Sequence, residues 1–192
     1  TELNPEINPK IKINKSYDNL ISEVRSDKDR QYIKENIQDA KFFIKALKNR
    51  NITILNVAKK IMVKQQDFLL HGEMALKPLV LREIAAQIDM HESTISRATN
   101  NKYIQTPRGV FELKYFFSSK IETKFGEKIS SKSIKEMIKK LIQNEDTRSP
   151  LSDAQISENF IQNGIKIARR TITKYRESLG ISSSNERRIK MK

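Results

Sequence analysis

Leu81-Arg82-Glu83-Ile84-Ala85-Ala86-Gln87-Ile88-Asp89-Met90-His91-Glu92-Ser93-Thr94-Ile95-Ser96-Arg97-Ala98-Thr99-Asn100 decides the fold of this chain. Leu81, Ile84, Ala85 and Ile88 recur at i, i+3, i+4 and i+7, the spacing of one helix face. A second short helix follows over His91–Asn100, with Ile95 and Ala98 facing inward. Ala85 supplies the small residue where two helices of a helix-turn-helix touch, and Asp89 stands at the tight turn, where glycine is more usual. Ile84, Ile88, Met90 and Ala98 fill the packing positions. The second helix leaves Glu92, Ser93, Ser96, Arg97 and Asn100 on its outer face. Such a helix fits the major groove, where Arg97 can donate to guanine and Glu92 can accept from cytosine. An ordinary helical hairpin with no nucleic acid is the other reading. His91 opens the helix, as a cap or as a contact to DNA backbone.

Downstream, Lys102-Tyr103-Ile104 and Val110-Phe111-Glu112-Leu113 flank the turn signal Pro107-Arg108-Gly109, which predicts a short hairpin or wing. Tyr115, Phe116 and Phe117 should anchor it. Residues 119–131 are polar and read as a linker. Ser133 with Glu136, and Ser152 with Gln155, fit capping boxes of two further helices. A last helix is expected from about Ile167 to Leu179, stopped by Gly180. There Ala168, Ile172, Tyr175 and Leu179 line one face, and Lys166, Arg169, Arg170, Lys174 and Arg176 stand away from it. Arg169 and Arg170 are candidates for base contacts and Thr173 is a further candidate for contact with the same DNA; Lys166, Lys174, Arg176, Lys102 and Arg108 are candidates for phosphate contacts. Glu92–Arg97 aligns with Arg169–Lys174, so two reading heads of similar plan are expected. The Ser-rich, then basic, tail 182–192 should fray.

Upstream, Ser26 can cap a helix carrying Ile33, Ile37, Ala40, Ile44 and Leu47 as a single stripe. Leu55, Ala58, Ile61, Met62, Phe68 and Leu69 continue it to a stop at Gly72. One very long helix, or two in tandem with a bend near Asn51 and a cap at Thr53, fits this pattern. Its lysines read as a solvated face. Before it, Pro5 and Pro9 favour extended chain leading to a short helix near Tyr17–Val24.

The 192 residues carry 37 Lys and Arg against 23 Asp and Glu, a net charge of +14. The charge concentrates in residues 132–192, at net +7, against 0 in residues 1–26. This balance points to a polyanionic partner. No cysteine and only two histidines, His71 and His91, argue against a metal site. With five glycines there is no phosphate-binding loop motif. No nucleophile–base set, catalytic residue or cofactor is expected, nor a membrane span; the chain reads as a cytoplasmic binding protein.

Two motifs then carry a family resemblance. Ala168-Arg169-Arg170-Thr171-Ile172-Thr173-Lys174-Tyr175-Arg176-Glu177 resembles the RpoN box, A-R-R-T-V-A-K-Y-R-E, of bacterial sigma-54 transcription factors, departing only at Ile172 and Thr173. His91–Ala98, Lys102–Ile104, Thr106–Gly109 and Phe111–Ser118 are similar to the central helix-turn-helix segment of that family. Arg50–Ile54 and Gln65–Phe68 fit its long-helix region. The resemblance implies an all-α chain with a small wing. Its parts would be 1–26, the tail of a core-polymerase-binding domain; 27–72, the long helix; 73–118, the central head; 119–131, the linker; and 132–192, the C-terminal head. It further implies promoter DNA and core RNA polymerase as partners, with an ATP-driven activator acting indirectly. The helix of Arg169 and Arg170 would read an upstream GG element. The helix of Glu92, Ser93, Ser96 and Arg97 would lie at a downstream GC element, and the long helix around Arg50 would help hold the silent complex. Family parts that precede these segments are absent, so a C-terminal fragment is expected. Two other readings stand beside this one: a conventional regulator binding a bipartite operator, and a basic protein-interaction module.

Overall fold

A computed structural model describes residues 1–6, 11–14, 16, 24, 26–123, 126 and 128–188. The short helix expected near Tyr17–Val24 lies outside them, apart from residue 24, which is not helical. The chain divides into two compact units, Thr1–Lys59 and Lys60–Lys192.

In the first unit, helix α1 begins at Asp27 and belongs to an element that spans Asp27–Lys64 without interruption. Ser26 caps it through the Asp29 amide at 3.4 Å, and Asp27 and Asp29 complement its positive end. There is no break at Asn51: of the two arrangements the sequence allowed, the single helix is the one adopted. Thr53 is therefore no cap; its hydroxyl donates back to the Asn49 carbonyl at 3.0 Å inside the helix. Along its N-terminal half Ile37 is buried and Ile33, Ala40, Ile44 and Leu47 are half-buried, forming the expected stripe. Ile11 and Ile13 of the extended segment share an apolar groove with Ile33, Ile37, Phe43 and Ile44.

The second unit opens with α2 (Gln66–His71), ended by Gly72 at φ 81°, and a single 3-10 turn, Glu73–Ala75. The predicted helix-turn-helix follows as α3 (Leu81–Gln87) and α4 (Glu92–Thr99). Tyr103–Thr106 (β1) and Gly109–Glu112 (β2) pair antiparallel, Tyr103 opposite Glu112 and Thr106 opposite Gly109, forming the expected wing. Phe111, Tyr115 and Phe116 pack around Phe68; Phe68 meets Phe111 and Phe116 edge-on at 5.2 and 5.3 Å between ring centres. This aromatic cluster seats the wing on the core.

Segment 119–131, read above as linker, instead carries a second small hairpin. Lys120–Glu122 (β3) pairs with Lys128–Ser130 (β4), and Thr123 bridges to Ile165. Helices α5 (Ser131–Gln143), α6 (Asp153–Gln162) and α7 (Arg169–Ser178) then enclose a core of Ile134, Ile138, Ile156, Phe160, Ile167 and Ile172. The cap of α5 is Ser130 rather than Ser133: the Ser130 hydroxyl accepts from the Ser133 amide at 2.9 Å, and Ser133 itself is buried. The Ser152–Gln155 capping box is present as predicted. The tail does not fray at its start. A short helix α8 (Ser184–Arg187) is held by Arg187, which donates to both Glu145 carboxylate oxygens at 2.7 and 3.0 Å.

Candidate nucleic-acid interface

The central head is built on a tight helix crossing. Ile84, Ala85 and Ile95 are buried, and Ala98 nearly so. Asp89 adopts φ 50°, the left-handed conformation the missing glycine would have taken without strain. The Met90 amide donates to the Ala85 carbonyl at 3.0 Å and closes the turn. Met90 is not a core residue, contrary to expectation; it is 38% exposed, because the turn carries it out past the crossing. His91 caps the helix: its Nδ1 accepts from the Ser93 amide at 3.2 Å, and the ring stays exposed. Glu92, Ser93, Ser96, Arg97 and Asn100 are all exposed, and their spacing of one, three, one and three residues puts them on one side of α4.

Beside α4, Lys102 directs its ammonium at the Asn100 and Asn101 carbonyls at 3.4 and 3.3 Å. Arg108, on the wing turn, was a phosphate candidate. Its guanidinium instead donates to the Leu69 carbonyl at 2.8 Å and to Leu70, closing the C-terminal end of α2. A side chain at Gly72 would crowd this contact, since a Cβ there lies 3.2 Å from Arg108 Nη1. Gln65, to which the local pattern gives no structural role, is completely buried where α1 gives way to α2. Its amide donates to the Lys77 carbonyl at 2.8 Å and accepts from the Lys77 amide at 3.0 Å. It fixes the strand of chain that delivers α3.

The C-terminal head presents α7 by two devices. Ile172 is fully buried, and Tyr175 and Leu179 shelter beside it. Arg176 overturns its assignment to DNA. It is 5% exposed and forks onto Asp153, Nε to Oδ1 at 2.8 Å and Nη2 to Oδ2 at 3.1 Å, with Nη1 on the Ile181 carbonyl at 2.6 Å. Thr173, half-buried, likewise spends its hydroxyl within the head, 2.9 Å from Asp153 Oδ2. Ala168 is also displaced from the apolar face; it is the exposed cap residue of α7. Lys166, Arg169, Arg170 and Lys174 remain exposed. So α7 turns one face inward and offers Arg169, Arg170 and Lys174 outward. The connection from α6 to α7 runs through Gly164 at φ 79°.

Arg176 holds the Asp153 carboxyl below the usual carboxylate range, against the opposing effect of burial. The sign follows directly: a carboxylate with a lowered folded pKa stabilises the fold fully above its unfolded value. That stability is lost as pH falls through the lowered folded value. We expect Asp153→Asn to melt earlier than the parent at neutral pH, with the difference shrinking below about pH 4. Thermal melts at the two pH values check this.

The two heads are fastened to one another within the second unit. The Ser133 hydroxyl donates to the Met74 carbonyl. Lys132 donates to the Tyr115 carbonyl and lies 3.6 Å over that ring. Burial pushes the Lys132 ammonium down to about 8, with Lys135 adding to the effect and Glu73 and Glu112 opposing it. Lys120 pairs with Glu83 of α3. Leu79 and Ser118 form an isolated antiparallel bridge at the base of the central head.

Residues 30–189 match the family model described as Sigma-54, DNA binding domain. The chain belongs to the sigma-54 family. It is 51% identical over 186 residues to the RNA polymerase sigma-54 factor of Vibrio anguillarum, and 48% identical over 187 residues to that of Escherichia coli K12. Each alignment takes in 97% of this chain but only 38% and 39% of the relative, so this sigma-54 chain spans about two-fifths of their length. Among solved structures it is similar to Aquifex aeolicus sigmaN bound to promoter DNA, at 40% identity and a TM-score of 0.59. That match covers 93% of this chain and 53% of the other. The sigma-54 fold is thus the mostly helical one expected. Among the described residues, no helix is long and apolar enough to cross a membrane.

Proposed function

We propose that this chain is the promoter-binding part of a sigma-54 initiation factor, acting in the cytoplasm by binding and not by catalysis. Helix α7 reads an upstream GG element through Arg169 and Arg170, while Lys166 and Lys174 neutralise flanking phosphates. Helix α4 lies at a downstream GC element, with Glu92, Ser93, Ser96, Arg97 and Asn100 toward the groove and Lys102 on the backbone. The observation that carries this is the division of α7. Ile172 and Arg176 fasten its inner face, which leaves two adjacent arginines and a lysine outward in a segment departing from the RpoN box at only two positions. Paired arginines suit guanine, whose O6 and N7 accept a bidentate fork.

By the same reading the partners are duplex promoter DNA and core RNA polymerase. Arg50, exposed on α1, helps hold the silent complex until an ATP-driven activator remodels it. Support comes from the family match and from the DNA complex of the Aquifex relative.

The fastening of the heads leads to a spacing test. Two heads held by Ser133, Lys132 and Lys120 should engage both elements only when these fall on one side of the duplex, about one helical turn apart. Fluorescence anisotropy on a duplex carrying both elements should give tight binding. Inserting about five base pairs between them, half a turn, should reduce affinity to that of a single element. Equal binding to both duplexes would contradict the two-head arrangement.

A further inference from the structure

The stretch 182–188 follows the RpoN-box segment and belongs to neither reading surface, yet it is held by a sheltered ion pair. Arg187 forks onto Glu145, in the connection from α5 to α6, with Nε on Oε1 at 2.7 Å and Nη2 on Oε2 at 3.0 Å. The two side chains are only 12% and 5% exposed. Nη2 also donates to the Leu151 carbonyl at 2.9 Å, and the Leu151 amide donates to Glu145 Oε2 at 2.9 Å. One guanidinium from the tail therefore closes the loop 145–151. Just beyond that loop stands Asp153, which takes the Arg176 fork from α7. The two arginines also divide the exit of α7 between them. Arg176 donates to the Ile181 carbonyl, and Arg187 to the next one, that of Ser182. At the front of α7 the buried Ser157 hydroxyl donates to the Ile167 carbonyl at 2.7 Å.

We propose that Glu145 and Arg187 are positioning residues for α7, setting the angle at which Arg169 and Arg170 meet a base pair without touching DNA themselves. That role rests on α7 being the reader of GG, as proposed above. A sheltered ion pair gives little net stability over apolar residues of the same size. What a planar guanidinium fork adds is direction. Base readout is the part of binding that needs it. A binding constellation must be held within about 0.5 Å and about 10–20° of its productive geometry. Lysines follow phosphates on flexible stems and tolerate far more. Loosening the clasp therefore removes discrimination before it removes affinity.

The test compares affinities for a GG duplex and an altered duplex by fluorescence anisotropy, on the full chain at a temperature where far-UV circular dichroism matches the parent. Glu145→Gln combined with Arg187→Gln opens the clasp and strands no buried charge. A role in stability alone would lower the folded fraction, which scales both affinities alike and leaves their ratio unchanged. The expected result is a ratio lowered by about fivefold or more. Affinity for the altered duplex and its salt slope should stay those of the parent. Arg187→Lys keeps the charge but cannot hold Glu145, Leu151 and Ser182 together, so it should lower the ratio too. If the double variant does not fold, Arg187→Lys decides by the same comparison. A parent that prefers GG, with variants of unchanged ratio, overturns the positioning role alone. A parent with no preference for GG overturns the promoter reading and the positioning role with it.

Discussion

Arg176→Ala should unfold the C-terminal head, or bring it close to unfolding. The guanidinium is buried and makes three directed bonds, two to Asp153 and one to the Ile181 carbonyl. Truncation leaves Asp153 with Thr173 alone and strands a sheltered carboxylate. Removing one member of a buried ion pair costs about 3–5 kcal/mol, against about 5–15 kcal/mol for a whole domain. Lys174→Ala, two residues away on the outer face, should change stability by less than ~0.5 kcal/mol. Arg176→Lys should not rescue the fold, because a single ammonium cannot make the fork and reach Ile181 together. Thermal melts of the three variants separate these outcomes. An Arg176→Ala protein as stable as the Lys174→Ala protein would return Arg176 to the DNA-facing side.

Replacing Arg169 and Arg170 by Ala should have the opposite signature. Both side chains are exposed, and neither makes a hydrogen bond or ion pair within the described residues. Stability should hold. The preference for GG over an altered pair should collapse, each arginine contributing about 1–3 kcal/mol, about fivefold to 150-fold in the affinity ratio. Lys166→Ala and Lys174→Ala should weaken binding to every sequence alike, with a salt slope shallower by about 0.9 each. Anisotropy on matched and altered duplexes at two salt concentrations tells the two classes apart. Uniform loss with the arginine variants would make them phosphate contacts.

The central helix-turn-helix was legible because its signals are local. Apolar spacing, the small Ala85 and the turn at Asp89 all act within a twenty-residue window, and the structure realises each. The wing was legible for the same reason, with Pro107-Arg108-Gly109 between two apolar runs. Arg176 was misjudged although the spacing held the clue. On a helix it lies about 40° beyond Ile172, at the edge of the apolar arc of Ile172, Tyr175 and Leu179, and a charge sheltered there needs a buried partner. That partner, Asp153, lies 23 positions earlier and no local pattern points to it. The hairpin of Lys120–Glu122 with Lys128–Ser130 escaped because strands of three residues carry almost no alternation. Gln65 escaped because burial of an amide depends on the backbone of Lys77, which only the tertiary fold brings near. The shift of the α5 cap from Ser133 to Ser130 shows the same limit, since several serines there satisfy the local rule and burial against Met74 selects among them.

Because the chain has no cysteine, one introduced thiol is a unique address. Lys174→Cys, on the outer face of α7, can carry an iron chelate that cuts DNA close to it. On a duplex bearing both elements, the account predicts cuts clustered at the upstream GG, and cuts at the downstream GC when the chelate is moved to Asn100→Cys. Cuts from Lys174→Cys at the downstream element, or spread evenly along the duplex, would contradict the assignment of α7 as the reader of GG.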